Sequence, residues 1–187
     1  AIYYANFDEA TEIQAKAIPL ILEGKDLIGC AQTGTGKTAA FVLPMLNQLS
    51  EIDSKGVKAL ILCPTRELAI QIDRQVQGLA YFTNSVCRAV YGGGDGVAWD
   101  QEREALEGAA DIIIATPGRL ISHLERGYVN FKYVKNLILD EADRMLDIGF
   151  FDDIIKIIGS LPKSRQSLMF SATMAPKIRK LANYILK

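Results

Sequence analysis

Three observations predict an α/β fold, a three-layer α/β/α arrangement around a mostly parallel sheet. Short β-rich apolar runs alternate with longer helical patterns along the whole 187-residue chain, as in sheets whose parallel strands are joined by helical crossovers. One run, Leu137-Ile138-Leu139, is apolar without alternation and ends in Asp140-Glu141-Ala142-Asp143. Such a run fits a strand buried on both faces, and acids at its end would sit on the carboxyl edge of a parallel sheet, where open α/β folds bind ligands. The run at 26–31 leads through a glycine-rich turn directly into a helical pattern.

In chain order, the first helix is predicted at 11–22 and the first strand at 26–31 (DLIGCA). The turn containing Gly34 and Gly36 then opens a helix at 36–49. A connection bearing Asp and Gly, 51–57, leads to a strand at 58–63 (KALILC), and Pro64-Thr65-Arg66-Glu67 opens a helix at 65–80. The strand at 86–91 (VCRAVY) ends at Gly92-Gly93-Gly94, and the next helix is placed at 98–107. A strand at 111–115 (DIIIA) precedes Thr116-Pro117-Gly118-Arg119, which opens a helix at 117–125 with Pro117 in the first turn, where its missing N–H costs nothing. The strand at 136–140 (NLILD) carries the acids, and the next helix is assigned only at 150–159. A strand at 166–171 (QSLMFS) and a helix at 175–186 complete the pattern. Connections are short, and no repeat or low-complexity segment interrupts them, so residues 1–187 read as one domain.

Hydrophobic residues make up 49% and charged residues 23% of the chain, an ordinary balance for a domain of this length with a substantial core. A formal net charge of −1 excludes a strong global field toward nucleic acid or membrane, while leaving room for a local phosphate-binding patch. Cys30, Cys63 and Cys87 are far apart and form no C-x-x-C pair; they read as buried, reduced thiols of a cytoplasmic protein. The single histidine, His123, argues against a His-rich zinc site and reads as an ordinary helix residue. There is no signal-peptide pattern and no apolar stretch long enough to span a bilayer, so no membrane partner is expected. The chain begins at Ala1 and ends at Lys187 inside a helical pattern, as a piece of a longer protein would.

Residues 31–38 read A-Q-T-G-T-G-K-T between a strand and a helix. A phosphate loop needs glycines so that backbone N–H groups can turn inward, and a helix N-terminus aimed at the anion. Thr33, Gly34, Thr35 and Gly36 would line it, Lys37 would reach the β- and γ-phosphates, and Thr38 would ligate Mg²⁺. The strict pattern has Gly where Ala31 stands, so this is a variant. By chance G-x-G-K-T arises on the order of 0.003 times in such a chain at average residue usage. With that loop present, Asp140 becomes a metal-holding strand-end acid and Glu141 a group that orients or deprotonates water. On these residues alone the alternatives are a DNA motor, a small-molecule kinase or a scaffold that retains the motifs.

Together these residues resemble the DEAD-box ATP-dependent RNA helicases, over essentially the whole chain and in the family's order. The part resembled is their first RecA-like P-loop NTPase domain, which binds ATP; the second RecA-like domain, with its arginine-rich motifs, is absent from this chain. The residues that carry the resemblance are Gln14 of a Q motif, the A-x-T-G-x-G-K-T loop that accounts for Ala31, P-T-R-E-L-A at 64–69, Gly92-Gly93, T-P-G-R at 116–119, D-E-A-D at 140–143 and Ser171-Ala172-Thr173. The phosphate loop and Y-G-G-G-D resemble bacterial, RhlE-like members. Ala10 replaces the family's Pro and Asn6 its Gly, which loosens the Q-motif loop without removing the amide. The aromatic residue that stacks on adenine in the family would precede this sequence.

The resemblance implies that Gln14 reads adenine, that Lys37, Asp140 and Glu141 are catalytic, and that Thr38 and Asp140 hold Mg²⁺. It implies that Asp143 with Ser171 and Thr173 forms a hydrogen-bonded link to domain geometry. It also implies RNA contacts by Pro64, Thr65, Arg66, Gly92, Gly93, Thr116, Gly118 and Arg119. Physically, two helix N-termini on one edge suit backbone phosphates, and contacts of this kind are independent of base sequence. Plain helix capping by Thr65 and Thr116 is the bland alternative on spacing alone.

Overall fold

The computed structural model describes residues 9–32, 34–93 and 96–186. Its six strands, β1 (Leu27–Cys30), β2 (Ala59–Leu62), β3 (Cys87–Val90), β4 (Ile112–Ala115), β5 (Asn136–Leu139) and β6 (Gln166–Ser171), form one sheet in the order β1-β6-β5-β2-β4-β3. Every pairing is parallel. The helices are α1 (Glu12–Leu22), α2 (Lys37–Ser50), α3 (Arg66–Leu79), α4 (Gly96–Glu104), α5 (Pro117–Leu124), α6 (Ala142–Ile148), α7 (Phe151–Gly159) and α8 (Pro176–Ile185).

From β1 through β2 to β3 the chain steps across the sheet in one direction, and from β3 through β4 and β5 to β6 it steps back. Right-handed crossovers place helices of the outward path on one face and those of the return path on the other. Ile21, Phe41, Met45, Ile72 and Val76 accordingly pack with Ile61, Ile112, Ile138 and Phe170. Leu106, Leu120, Met145, Ile154, Ile178 and Leu181 pack with Leu60, Ile113, Leu137 and Met169. Successive strand residues supply opposite cores, as a pleat with period two requires, and all four residues of β2, β4 and β5 are buried. Gly29 on β1 faces the Phe170 ring so closely that a Cβ would lie 2.5 Å from it. At the start of β5 and β6, Asn136 and Gln166 bond to Gln48 of α2 and to the Ile21 carbonyl, which ties that end of the sheet to the helices.

All six predicted strands are present within one or two residues. Two helical assignments differ. Helix α4 begins at Gly96 and is followed by a kinked turn, Ala105–Ala109, in which Gly108 leaves the helical region at φ 124°. Helix α6 was not expected. It is seven residues long, entered from Glu141 and closed by Gly149, both with left-handed backbones, and too short to show a helical period. The cysteines also divide: Cys63 is buried and Cys87 half-buried, but Cys30 at the end of β1 is exposed.

Candidate active site

Because every strand is parallel, six strand ends open on one edge. In sheet order they carry the phosphate loop after β1, Ser171 at the end of β6 with Thr173 beyond it, Asp140 and Glu141 after β5, Pro64-Thr65 after β2, Thr116 after β4 and Gly92-Gly93 after β3. All the described candidate residues thus meet along one line, except that Gln14 reaches it from α1. Thr33 lies outside the described residues, as do Asn6 and Phe7 of the Q-motif stretch.

Gly34 and Gly36 both adopt φ 86°, a region that costs a side-chain-bearing residue about 1–2 kcal/mol. Gly36 precedes the first residue of α2, so the loop turns onto a helix N-terminus. Gln14 is buried against this turn. Its amide donates to the Gly36 carbonyl at 3.2 Å and its carbonyl accepts the Thr11 N–H at 3.0 Å. The Gln14 side chain therefore braces the loop from α1. Beside it lies a cavity of about 440 Å³ lined by Thr11, Glu12, Ile13, Lys16, Cys30, Ala31 and Thr35.

Lys37 and Asp140 are both buried, with Nζ 3.6 Å from Oδ1. Burial pushes the Asp140 carboxyl above its ordinary range, and the Lys37 ammonium and the Glu141 N–H pull it partly back. The Glu141 N–H donates to Asp140 Oδ1 at 2.9 Å. Glu141 is the one residue other than glycine with positive φ among the described residues, at 51°. Such a backbone persists only where its surroundings impose it, and it clusters at sites of chemistry. Glu141 Oε2 lies 3.4 Å from Arg144 one turn on.

The third acid differs from expectation. Asp143 does not bond the Ser171 and Thr173 hydroxyls; its Oδ2 accepts the N–H of Ala172 between them at 3.1 Å. The buried Ser171 hydroxyl instead accepts the Thr173 N–H at 3.4 Å, and the Ser171 carbonyl accepts the N–H of Ala31 at 3.1 Å. The segment after β6 is thus tied both to the acid helix and to the start of the phosphate loop.

On the other half of the edge, Thr65 caps α3 through a hydrogen bond from the Leu68 N–H at 3.3 Å, whereas Thr116 makes no side-chain cap on α5. Pro64 and Thr116 are buried, Gly118 is half-buried, and Arg66 and Gly93 are exposed. Arg66 lies over the Tyr91 ring at 5.0 Å. Gly92 and Gly93 have φ 72° and 81°, and a Cβ on each would meet Arg119 and Arg66 respectively. Loop and both arginines form one surface.

Sequence reasoning missed what holds that surface. Glu102 Oε2 bonds Arg119 Nε at 2.7 Å and His123 Nε2 at 3.0 Å, while Oε1 accepts the Tyr91 N–H at 3.1 Å. His123 is fully buried, stacks on Trp99 at 3.9 Å, and pairs through Nδ1 with the Tyr128 hydroxyl. It is not an ordinary helix residue. Trp99 and Glu102 stand three apart on α4, a spacing that brings side chains together on a helix, but nothing local ties them to 119 or 123.

A family model described as DEAD/DEAH box helicase matches residues 11–181. The chain belongs to the DEAD/DEAH box helicase family. Among curated relatives, an ATP-dependent RNA helicase CshA of Listeria monocytogenes is 50% identical over 175 residues, covering 94% of this chain and 33% of the relative. A DEAD-box ATP-dependent RNA helicase RhpA of Helicobacter pylori is 44% identical over 187 residues, covering 100% of this chain and 37% of the relative. A crystal structure of a hypothetical ATP-dependent RNA helicase from Sulfolobus tokodaii matches with a TM-score of 0.88 at 35% identity, covering 100% of this chain and 53% of that one. The likeness to that structure spans the whole of this chain, whose fold is that of a RecA-like helicase domain. This helicase-family chain spans about a third of the length of the CshA and RhpA relatives it matches. No helix among its described residues is long and apolar enough to cross a membrane.

Proposed function

We propose that this chain is the ATP-binding half of a cytoplasmic ATP-dependent RNA helicase, which couples ATP hydrolysis to local unwinding of an RNA duplex. The observation that carries the reading is the single sheet edge, with a phosphate loop and buried acid at one end and exposed arginines beside glycine turns at the other. Ser171 and Ala172 are hydrogen-bonded into the nucleotide end, which suits a segment that transmits nucleotide state. The two bacterial relatives above are CshA and RhpA proteins, so the reading is made for the family and not for an RhlE-like subgroup.

The cavity beside Gln14 suits a nucleobase, with the loop 34–38 around the phosphates. Gln14 would give adenine selectivity by exchanging or sharing the hydrogen bonds that now brace Gly36 and Thr11. The residues fit Mg²⁺. Thr38 in the first turn of α2 and the buried Asp140 offer the one or two protein oxygens such an ion takes, with phosphates and water completing its shell. Thr38 and Asp140 would hold it, and its charge would neutralise the phosphates. Lys37, paired with Asp140 here, would turn to the β- and γ-phosphates. Glu141, fixed by its left-handed backbone, would orient and deprotonate the attacking water. Thr65, Arg66, Gly92, Gly93, Thr116, Gly118 and Arg119, with Pro64 shaping its turn, would hold single-stranded RNA by its backbone. A second RecA-like domain, in the two thirds of the relatives' length that this chain does not span, would close on this edge and bring arginine fingers, which contribute about 10³–10⁵ in rate in other nucleotide hydrolases.

The test uses the full-length protein that carries this chain. RNA should stimulate its ATPase and DNA should not. Glu141→Gln should lower turnover by about 10²–10⁴, the contribution typical of a general base, with ATP and RNA still bound. Equal stimulation by DNA, or unchanged turnover in the variant, sinks the proposal. The 187 residues alone should hydrolyse ATP very slowly, with or without RNA.

A further inference from the structure

We infer that Glu102 is a positioning residue for RNA, a carboxylate that holds Arg119 and the glycine turn in one fixed arrangement through a cluster of buried Glu102 and His123 with half-buried Trp99. The inference rests on the proposed RNA-binding role of this half of the edge.

An acid inside a phosphate-binding surface is unfavourable unless it does something else, because it repels the ligand. Glu102 is buried, and every group facing it is a donor. Oε1 accepts the N–H groups of Tyr91 at 3.1 Å and Gly92 at 3.4 Å. Oε2 takes Arg119 Nε at 2.7 Å, Arg119 Nη2 at 2.7 Å and His123 Nε2 at 3.0 Å. One carboxylate thereby joins the turn after β3 to the helix that opens after β4. These two loops are neighbours only through the sheet.

The cluster behind it is built to stay in place. An ionised carboxylate can only accept, so His123 must carry its proton on Nε2. Nδ1 is then free to accept from the Tyr128 hydroxyl, its partner in the structure, and the fully buried ring is satisfied at both nitrogens. Trp99 stacks on that ring at an interplanar angle of 16°, and the guanidinium carbon of Arg119 lies 4.2 Å from the indole centroid. Arg119 is therefore clamped by a carboxylate at its edge and an aromatic face. Of its five N–H donors, Glu102 engages the Nε and Nη2 side, and no other hydrogen-bond partner for Arg119 is found among the described residues. The Arg119 side chain is 19% exposed. That leaves donors fixed in direction for a phosphate oxygen, with little rotamer freedom left to lose on binding.

Charge and positioning make opposite predictions, which makes the inference testable. Removing an acid should tighten RNA binding if Glu102 contributes only charge. If it positions Arg119, binding should weaken. In the full-length protein, with single-stranded RNA of mixed sequence followed by fluorescence anisotropy, Glu102→Ala should weaken binding about tenfold, the size of one charge-assisted hydrogen bond. Arg119→Ala should weaken it by a similar factor and lower the slope of log K against log salt by about 1. The double variant should lose less than the sum of the two single losses, because the Arg119 part of the Glu102 effect is already gone, while thermal stability falls with each substitution. Glu102→Gln, which keeps the shape and one acceptor oxygen, should fall between wild type and Glu102→Ala, and it serves where the alanine variant does not fold. Unchanged or tighter binding in both Glu102 variants, or additive losses in the double variant, overturns the inference. Failure of the wild type to bind RNA overturns the functional reading instead.

Discussion

The two halves of the sheet edge place their charges by opposite means. On the β1-β6-β5 half the central charges are buried: Lys37 and Asp140 sit side by side out of solvent, beside turns whose backbones include three left-handed residues, Gly34, Gly36 and Glu141. On the β2-β4-β3 half the cations are larger, partly exposed and spread over aromatic rings, Arg66 on Tyr91 and Arg119 on Trp99. A reaction centre gains from low dielectric and rigid groups, because charge then needs no rearrangement during the chemical step. A polymer backbone must slide in and leave, so its donors stand at the surface, where electrostatics is screened and each contact is modest. The halves touch at β5 and β2, where the Asp140 N–H bonds the Leu62 carbonyl at 2.9 Å. Next in the chain, Cys63 has its thiol pushed far up by burial and by the Asp140 charge.

The hardest blow to this contrast would come from the buried pair. Lys37→Ala should abolish measurable turnover and ATP-analogue binding while RNA binding survives. It also leaves Asp140 buried without its counter-ion. Breaking such pairs costs about 3–5 kcal/mol when the survivor stays charged, and burial already raises the Asp140 carboxyl above its ordinary range, so protonation relieves that cost. The loss in melting temperature should therefore shrink as pH is lowered. A pH-independent loss would mean that Asp140 is not the group left behind.

The next test sets the two acids against each other by pH, in metal-free protein. Burial raises the Asp140 value above its ordinary 3.8. The folded state then binds the proton more tightly, so the Asp140 contribution is largest at low pH and is lost as pH rises from that value through the raised one. Glu102 runs the other way. Burial pushes its carboxyl up, but hydrogen bonds from His123 and Arg119 and the Arg119 charge outweigh burial and leave it below its ordinary 4.5. The Glu102 contribution is present above that value and is lost as pH falls through the lowered one. The stability difference between wild type and Asp140→Asn, and that between wild type and Glu102→Gln, should change with opposite slopes in denaturant titrations over the acidic range. Slopes of the same sign would remove the electrostatic distinction between the halves.

The smallest effect compares two glycines. Gly36 and Gly93 both have positive φ, and a Cβ on each would lie 2.6 Å from Gln14 Nε2 and 2.7 Å from Arg66 Nη1 respectively. Either alanine variant carries about 1–2 kcal/mol of backbone strain. Gln14 is held by two hydrogen bonds and cannot yield, whereas exposed Arg66 can. Gly36→Ala should thus lower the melting temperature more than Gly93→Ala and weaken nucleotide, not RNA. Equal shifts would show that the Gln14 brace is not stiff.

Much of this was written locally. Apolar runs bounded by turns marked all six strands, and glycines before a lysine and threonine marked the phosphate loop, since each depends on neighbours within a few residues. Parallel pairing followed from the alternation with helices, and with it the expectation that the candidate residues share an edge. Helix α6 escaped because seven residues hold too little periodicity. Other features depend on partners remote in the chain. The bond from Asp143 to the Ala172 N–H rather than to the hydroxyls on either side depends on β5 lying beside β6, and the use of Gln14 to brace Gly36 depends on α1 packing against α2. The Glu102 cluster is the clearest case. Trp99, Glu102 and His123 are unremarkable helix residues in the sequence, and with Arg119 of T-P-G-R they become one assembly only because β3 and β4 are neighbours. Residue type and local spacing determined which chemistry this protein could carry. The order of strands in the sheet decided which groups meet, because contacts across a parallel sheet join residues that no sequence period connects.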